Sequence, residues 1–170
     1  MFRPLATLLA AAVAVLVALM SSSPAAAADC DVPAEVDAVV CEVNRARTDR
    51  GLEPVVRDRR LHRAAAAHAR DMVAREYFSH VTPEGEGLSD RLRQAGYISG
   101  RVPWHVGETL AWGRRRMATP AAIVEAWMRS PSHRRIILGR YDEIGVGVAD
   151  GDPFGGPGAT YAADLGLLGG

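Results

Sequence analysis

Ile144-Gly145-Val146-Gly147-Val148-Ala149, then Asp150-Gly151-Asp152-Pro153-Phe154-Gly155-Gly156-Pro157-Gly158, then Ala159-Thr160-Tyr161-Ala162-Ala163-Asp164-Leu165: this run sets the structural class of the chain. Two segments of strand character, Ile144 to Ala149 and Thr160 to Leu165, flank a loop of glycine, proline and aspartate, which is the signature of a hairpin. Several segments upstream carry helical periodicity. Glu35 to Arg50 places Val36, Val39, Val40 and Val43 at spacings of three and four, with Gly51 as the stop. Asp58 caps a longer helix from Arg59 to Tyr77, whose buried stripe runs through Leu61, Ala64, Ala65, His68, Ala69, Met72 and Val73. Ser89 is placed to cap a short helix from Asp90 to Ala95, and residues 97–107 read as irregular. Thr119-Pro120 opens a helix carrying Ile123, Val124, Trp127 and Met128, with a further helical turn at Arg134 to Leu138. Helices first and antiparallel strands late imply one layered α+β domain.

The 170 residues hold 20 basic and 20 acidic side chains, and every basic one is arginine. This balance gives no global field for nucleic acid and no polybasic patch for anionic lipid, so a nucleic-acid partner is not expected. The start of the chain has its own logic. A weakly basic Met1-Phe2-Arg3-Pro4 precedes an apolar run from Leu5 to Met20, and the small residues Ala25 to Ala28 follow. That order is a secretory signal peptide over residues 1–28, with a retained anchor as the alternative. Residues 29–170 are then the single mature domain, with its core over about 36–168. The expected location is secreted or extracellular, with envelope association as a variant of it. No stable membrane span is expected after cleavage. In an oxidising exterior Cys30 and Cys41 form a disulfide, closing a loop that contributes about 2–3 kcal/mol.

Among the five histidines, His62 reads as solvated and His68 as a hydrogen-bonded residue of the alanine stripe. His80 follows Tyr77-Phe78-Ser79 at a helix end and opens a turn-rich loop. His133 follows Trp127-Met128-Arg129-Ser130-Pro131-Ser132. Glu108 lies in the apolar, strand-like Val106-Gly107-Glu108-Thr109-Leu110-Ala111 and must be solvated or paired, because burying it alone costs several kcal/mol. Spacing alone does not bring the three together, and three unrelated polar residues is the plain alternative. Trp112 and Trp127 read as core, Asp150-Gly151-Asp152 as an acidic turn, and Arg114-Arg115-Arg116 as a solvated run.

Six segments, in order, resemble the CAP superfamily of cysteine-rich secretory, antigen 5 and pathogenesis-related 1 proteins, also called SCP domains. They are Val43-Asn44-Arg45-Ala46-Arg47 with Gly51-Leu52-Glu53-Pro54; Leu61 with Ala64-Ala65 and His68-Ala69; Tyr77-Phe78-Ser79-His80; Gly107-Glu108-Thr109-Leu110-Ala111; Trp127 through Arg134; and Ile144-Gly145-Val146-Gly147. The likeness is greatest to the short, secreted bacterial branch. It implies a three-layer α-β-α sandwich around a central antiparallel sheet, with a groove lined by two histidines and acidic residues. His80, His133 and Glu108 match those positions. The second glutamate of eukaryotic members has Ser130 in its place here. Thr109 and Ile136 stand where the family usually has asparagine, which simplifies the network around the groove.

The resemblance leaves several functions open. Foremost is a secreted binding or interaction module, acting as a monomer on a lipid, a peptide or a cell-wall component. No cofactor is certain. Two imidazoles and a carboxylate can hold zinc or another divalent metal and activate water, so His80, His133 and Glu108 are also the candidate metal ligands and the groove candidates for catalysis. No His-Glu-x-x-His helix supports that reading. A serine-type hydrolase would draw on Ser79, Ser130 or Ser132, but no Gly-x-Ser-x-Gly elbow is present. A lipid or sterol carrier would use an apolar cleft near Tyr97, Trp104 and Trp112. Whether the protein is an enzyme stays open from sequence.

Overall fold

The structure, a computed structural model, describes Cys30 and residues 34–169; the expected leader over residues 1–28 lies outside them. Within the described residues, five α-helices and four strands follow in the order α1 (Glu35–Thr48), β1 (Val56–Arg57), α2 (Arg59–Ala74), α3 (Leu88–Gln94), β2 (Trp104–Gly113), α4 (Pro120–Arg129), α5 (Pro131–Ile137), β3 (Glu143–Asp150) and β4 (Ala159–Leu168). A 3₁₀ turn, Arg115–Ala118, links β2 to α4. The sheet order is β1-β3-β4-β2. β3 and β4 form the expected hairpin, and β2 lies antiparallel to β4 along its whole length, from Trp104↔Leu168 to Gly113↔Ala159. The two-residue β1 pairs parallel to β3, so the sheet is mixed and not wholly antiparallel. β1 is too short to leave a periodic signal in sequence.

Local chemistry explains the boundaries. Asp58 accepts from the backbone N–H groups of Arg60 at 2.7 Å and Leu61 at 3.0 Å, satisfying two of the donors that open α2. α2 stops at Ala74, three residues before its expected end, with Glu76 in the left-handed region at φ 53° and the Tyr77 N–H returning to the Met72 carbonyl. Thr119 caps α4, its hydroxyl accepting from the Ala122 N–H. α3 begins at Leu88 and not at Asp90, because the Asp90 carboxylate itself accepts from the Gly87 N–H and takes the capping role expected of Ser89. The last four residues of the segment expected to be irregular, 104–107, are the start of β2.

The layers differ in kind. On one face α1, α4 and α5 cover Ile144, Val146, Tyr161, Ala163 and Leu165 with Val39, Val43, Ile123, Val124, Trp127 and Ile137. On the other, α2 lies so near the sheet that a Cβ on Gly145 or Gly147 would overlap the backbone of Leu61, His62 or Ala65. Alanine meets glycine there, and Ala65, Ala69 and Met72 pack with Leu110 and Ala162. The Trp127 indole N–H donates to the Leu110 carbonyl at 3.0 Å, fixing α4 to β2. The Cys30–Cys41 disulfide is formed and ties the segment before α1 to that helix.

Candidate functional site

Strand alternation places Glu108, Leu110, Ala162 and Asp164 on the α2 face of the sheet. The Glu108 side chain is only 3% exposed. Its two oxygens have different partners. Oε2 meets His80 Nδ1 at 2.6 Å, and Oε1 forms an ion pair with Arg91, itself buried. Burial opposes ionisation of Glu108, but the His80 hydrogen bond and the Arg91 charge outweigh it and hold the carboxyl below its ordinary range. The sequence required Glu108 to be solvated or paired; it is paired, and Arg91 is the buried partner. With 20 arginines in the chain, nothing in sequence distinguished it.

His80 is held from three sides. Its ring rests on Glu108, and Arg91 donates to its backbone carbonyl at 3.0 Å. The preceding carbonyl, that of Ser79, accepts from His68 Nε2 at 2.9 Å. His68 is the expected buried histidine of the α2 stripe, and its bond to Ser79 makes it a positioning residue for the neighbouring His80. Burial lowers its pKa and favours the neutral ring, although the Glu108 charge acts in the opposite sense. The His80 ring remains 56% exposed. Because an ionised carboxylate only accepts, His80 Nδ1 carries the proton toward Glu108, and in the neutral ring Nε2 is left as an acceptor.

His133, on α5, is half-buried; burial lowers its pKa, and the nearby His80 adds to the effect. Glu108 sits behind His80, and the charge of His80 is felt at His133. Asp164 lies directly opposite Glu108 in the β2–β4 register and is wholly buried, and neither of its carboxyl oxygens has a hydrogen-bond partner. Burial, with the Glu108 charge beside it, pushes the Asp164 carboxyl well above the usual carboxylate range. The strand pattern gave Asp164 no distinction from a solvent-facing aspartate until the register was known.

The metal expectation meets an obstacle. Among the described residues no three His, Cys, Asp or Glu side chains are disposed to hold a metal ion. Both Glu108 oxygens are engaged, one by a guanidinium that repels a cation. His80, His133 and Glu108 as arranged do not fit a metal. The serines do not engage either imidazole: Ser130 and Ser132 bond to each other at 3.0 Å, and Ser79 accepts from the Val81 N–H. A cavity of about 410 Å³ opens between α2, α3 and the loop after His80, where Arg63, Asp71, Arg75, Glu84 and Arg91 form charged walls.

Other residues depart from expectation. His62 is half-buried, with Nδ1 against the Val146 carbonyl at 2.6 Å. Trp112 is 38% exposed, since its even position on edge strand β2 lies beyond the reach of α2. Arg114 is no solvated bystander, for it pairs with the buried Asp152. Thr109 is fully buried with its hydroxyl unpartnered, and Ile136 lies against Gly107.

The model of the cysteine-rich secretory protein family, CAP, matches residues 40–161. Two Bacillus subtilis proteins are each 35% identical to this chain. One, the uncharacterised protein YkwD, aligns over 113 residues, 66% of this chain and 41% of its own length. The other, the uncharacterised membrane protein YlbC, aligns over 106 residues, 62% of this chain and 29% of its own length. The match thus spans less than half of either relative. Among solved structures, an extracellular SCP-domain protein of Bacillus anthracis superposes with a TM-score of 0.64 at 24% identity, covering 77% of this chain and 39% of that one. An outer surface protein of Borrelia burgdorferi gives 0.64 at 19% identity, covering 76% of this chain and 90% of that one. At such identities the likeness is one of fold.

Proposed function

The chain belongs to the cysteine-rich secretory protein (CAP) family, and from that premise we propose that it is an extracellular binding module whose groove takes a polar ligand through His80 and His133. The carrying observation is the Glu108–His80 hydrogen bond, which turns an acceptor nitrogen outward on a half-exposed ring. His133, biased toward its neutral form by burial, offers a second imidazole beside it. Imidazole acceptors suit a ligand rich in N–H and O–H donors, such as a peptide or a cell-wall glycopeptide. Arg63, Asp71, Arg75, Glu84 and Arg91 around the neighbouring cavity suit polar groups on the ligand. The extracellular location named for the Bacillus anthracis protein supports the expected secretion.

One observation favours a second reading. A carboxylate that orients an imidazole is also the geometry of a general base, so His80 could activate water or a ligand hydroxyl. No serine bonded to an imidazole supports a covalent route, and the occupied Glu108 oxygens do not favour a metal-assisted one.

Calorimetric titration with soluble muropeptides, beside palmitate and cholesterol, tests the proposal. Muropeptide binding that weakens at least about tenfold in His80→Ala and in Glu108→Gln is the expected result. Saturable palmitate or cholesterol binding indifferent to both substitutions overturns it. So does stoichiometric zinc in the parent that disappears in His80→Ala/His133→Ala. Release of product from the muropeptide by the parent alone would select the general-base reading.

A further inference from the structure

β2 lies at the edge of the sheet, so only one of its two rows of main-chain groups meets β4. The Pro103 carbonyl accepts from the Gly169 N–H at 2.8 Å, which turns the odd-numbered residues toward β4. On β4, Gly166 gives its carbonyl to the Asp142 N–H beside β3, leaving Leu165 and Leu167 to bond with Gly107 and His105 opposite them. The even-numbered residues of β2 therefore point their N–H and C=O groups away from the sheet. Trp127 takes one of these, donating to the Leu110 carbonyl. For Trp104, Val106 and Glu108, neither the main-chain N–H nor the C=O has a partner among the described residues.

Natural sheets blunt such an edge with proline, lysine, a bulge or a covering element. None of these protects the outward row here. Pro103 precedes it, and the N–H that proline lacks would have faced β4. The charge in the row, on Glu108, is occupied by His80 and Arg91. Trp104 is 42% exposed and Val106 half-buried. The chemistry of the row also says what fits it. Donors and acceptors repeated at every second residue match another extended main chain, whereas a lipid, a sugar or an ion has no such period.

We infer that the outer edge of β2, from Trp104 to Glu108, receives an extended peptide as an added strand. The inference rests on the groove reading and deepens it, because the open row ends at Glu108, whose carboxylate carries His80. The edge aligns the peptide main chain, and the outward nitrogen of His80 accepts from the donor that arrives beside it. At the other end, a cavity of about 290 Å³ lined by Trp104, His105 and Arg140 receives one of its side chains.

Selection on the parent from capped peptides about eight residues long, within the span of one strand, supplies the probe, and fluorescence anisotropy reads its binding. Val106→Pro removes an outward N–H and leaves the bonds to β4 in place. Its melting temperature should stay near that of the parent while peptide affinity falls at least about tenfold. N-methylation of the peptide tests the same pairing with the protein unaltered: it should abolish binding at alternate residues and be tolerated at those between. Tolerance at every position overturns the inference, as does failure to select any peptide that Val106→Pro binds more weakly. A parent that dimerises in sedimentation equilibrium, with Val106→Pro monomeric, overturns it in favour of pairing between two copies. Muropeptide binding separates this inference from the groove reading. If His80→Ala weakens it and Val106→Pro does not, the groove stands and the added strand falls. Peptide binding that alternates with N-methylation but ignores His80→Ala keeps the strand and removes His80 from the site.

Discussion

The two faces of the sheet are built on opposed principles. Under α1, α4 and α5, large side chains interlock: Trp127, Tyr161, Ile144 and Leu165 are all essentially inaccessible. Under α2, side chains have been reduced to alanine and glycine so that the helix backbone approaches the strands. The apolar face derives its stability from area removed from water. The α2 face gives up much of that area and accommodates, at its β2 edge, His68, Arg91, Glu108 and Asp164, all buried. The lesson is one of placement. A binding site that needs buried charge sits on the face where packing is by proximity, and the bulk of the core lies on the other side.

Substitutions can break this contrast. The largest effect is expected at Gly147→Val, where the new Cβ overlaps the Ala65 backbone, which cannot yield as a side chain can. Loss of more than about 4 kcal/mol, seen as failure to accumulate folded protein, is expected. On the opposite face Trp127→Ala should cost about 3–5 kcal/mol in chemical denaturation, by leaving a cavity and the Leu110 carbonyl unpaired. Arg91→Ala should approach the same size, about 3–5 kcal/mol, for an unrelated reason: it leaves Glu108 buried without its cation. If Arg91→Ala costs less than about 1 kcal/mol, the α2 face is not organised by charge in the way described.

How much of this was legible in sequence follows the same division. The helices and the β3–β4 hairpin were readable because Val39 and Val43 repeat at helical spacing and the loop from Asp150 to Gly158 is dense in turn residues. The caps Asp58 and Thr119 were readable because capping is local. The grouping of His80 with Glu108 came only through resemblance, since a contact over 28 residues has no periodic trace. Arg91 and Asp164 were not readable at all. Their roles depend on β2–β4 register and on how α3 meets β2, and a lone arginine or aspartate in sequence reads as solvated. Trp112 misled because an aromatic on a strand suggests core, whereas β2 is an edge.

Acid titration sharpens the comparison further. Asp164 has its folded pKa raised, so the folded state holds a proton that the unfolded state loses above its ordinary pKa near 3.8. That penalty grows as pH rises above 3.8 and is absent below it. Asp164→Asn should therefore stabilise the protein at pH 7 by about 2 kcal/mol, with the gain fading as pH falls through about 4. Thermal melts of both proteins across pH check it, and destabilisation at pH 7 would mean that Asp164 is ionised and needed. The smallest expected effect comes from the histidines. His68 and His133 have lowered folded pKa values, so the unfolded state takes up protons first as pH falls below about 6.5. Stability should decline below that point. Further loss follows as acid reaches the depressed pKa of Glu108, whose contribution is present above its ordinary pKa of 4.5.

The most direct test of the site concerns one proton. Long-range nitrogen–hydrogen correlation spectra of the histidine rings report which nitrogen of neutral His80 is protonated. The Glu108 contact predicts the proton on Nδ1 and a free Nε2 facing the groove, with that preference lost in Glu108→Gln. A neutral His80 protonated on Nε2 in the parent, unchanged by Glu108→Gln, would contradict the account.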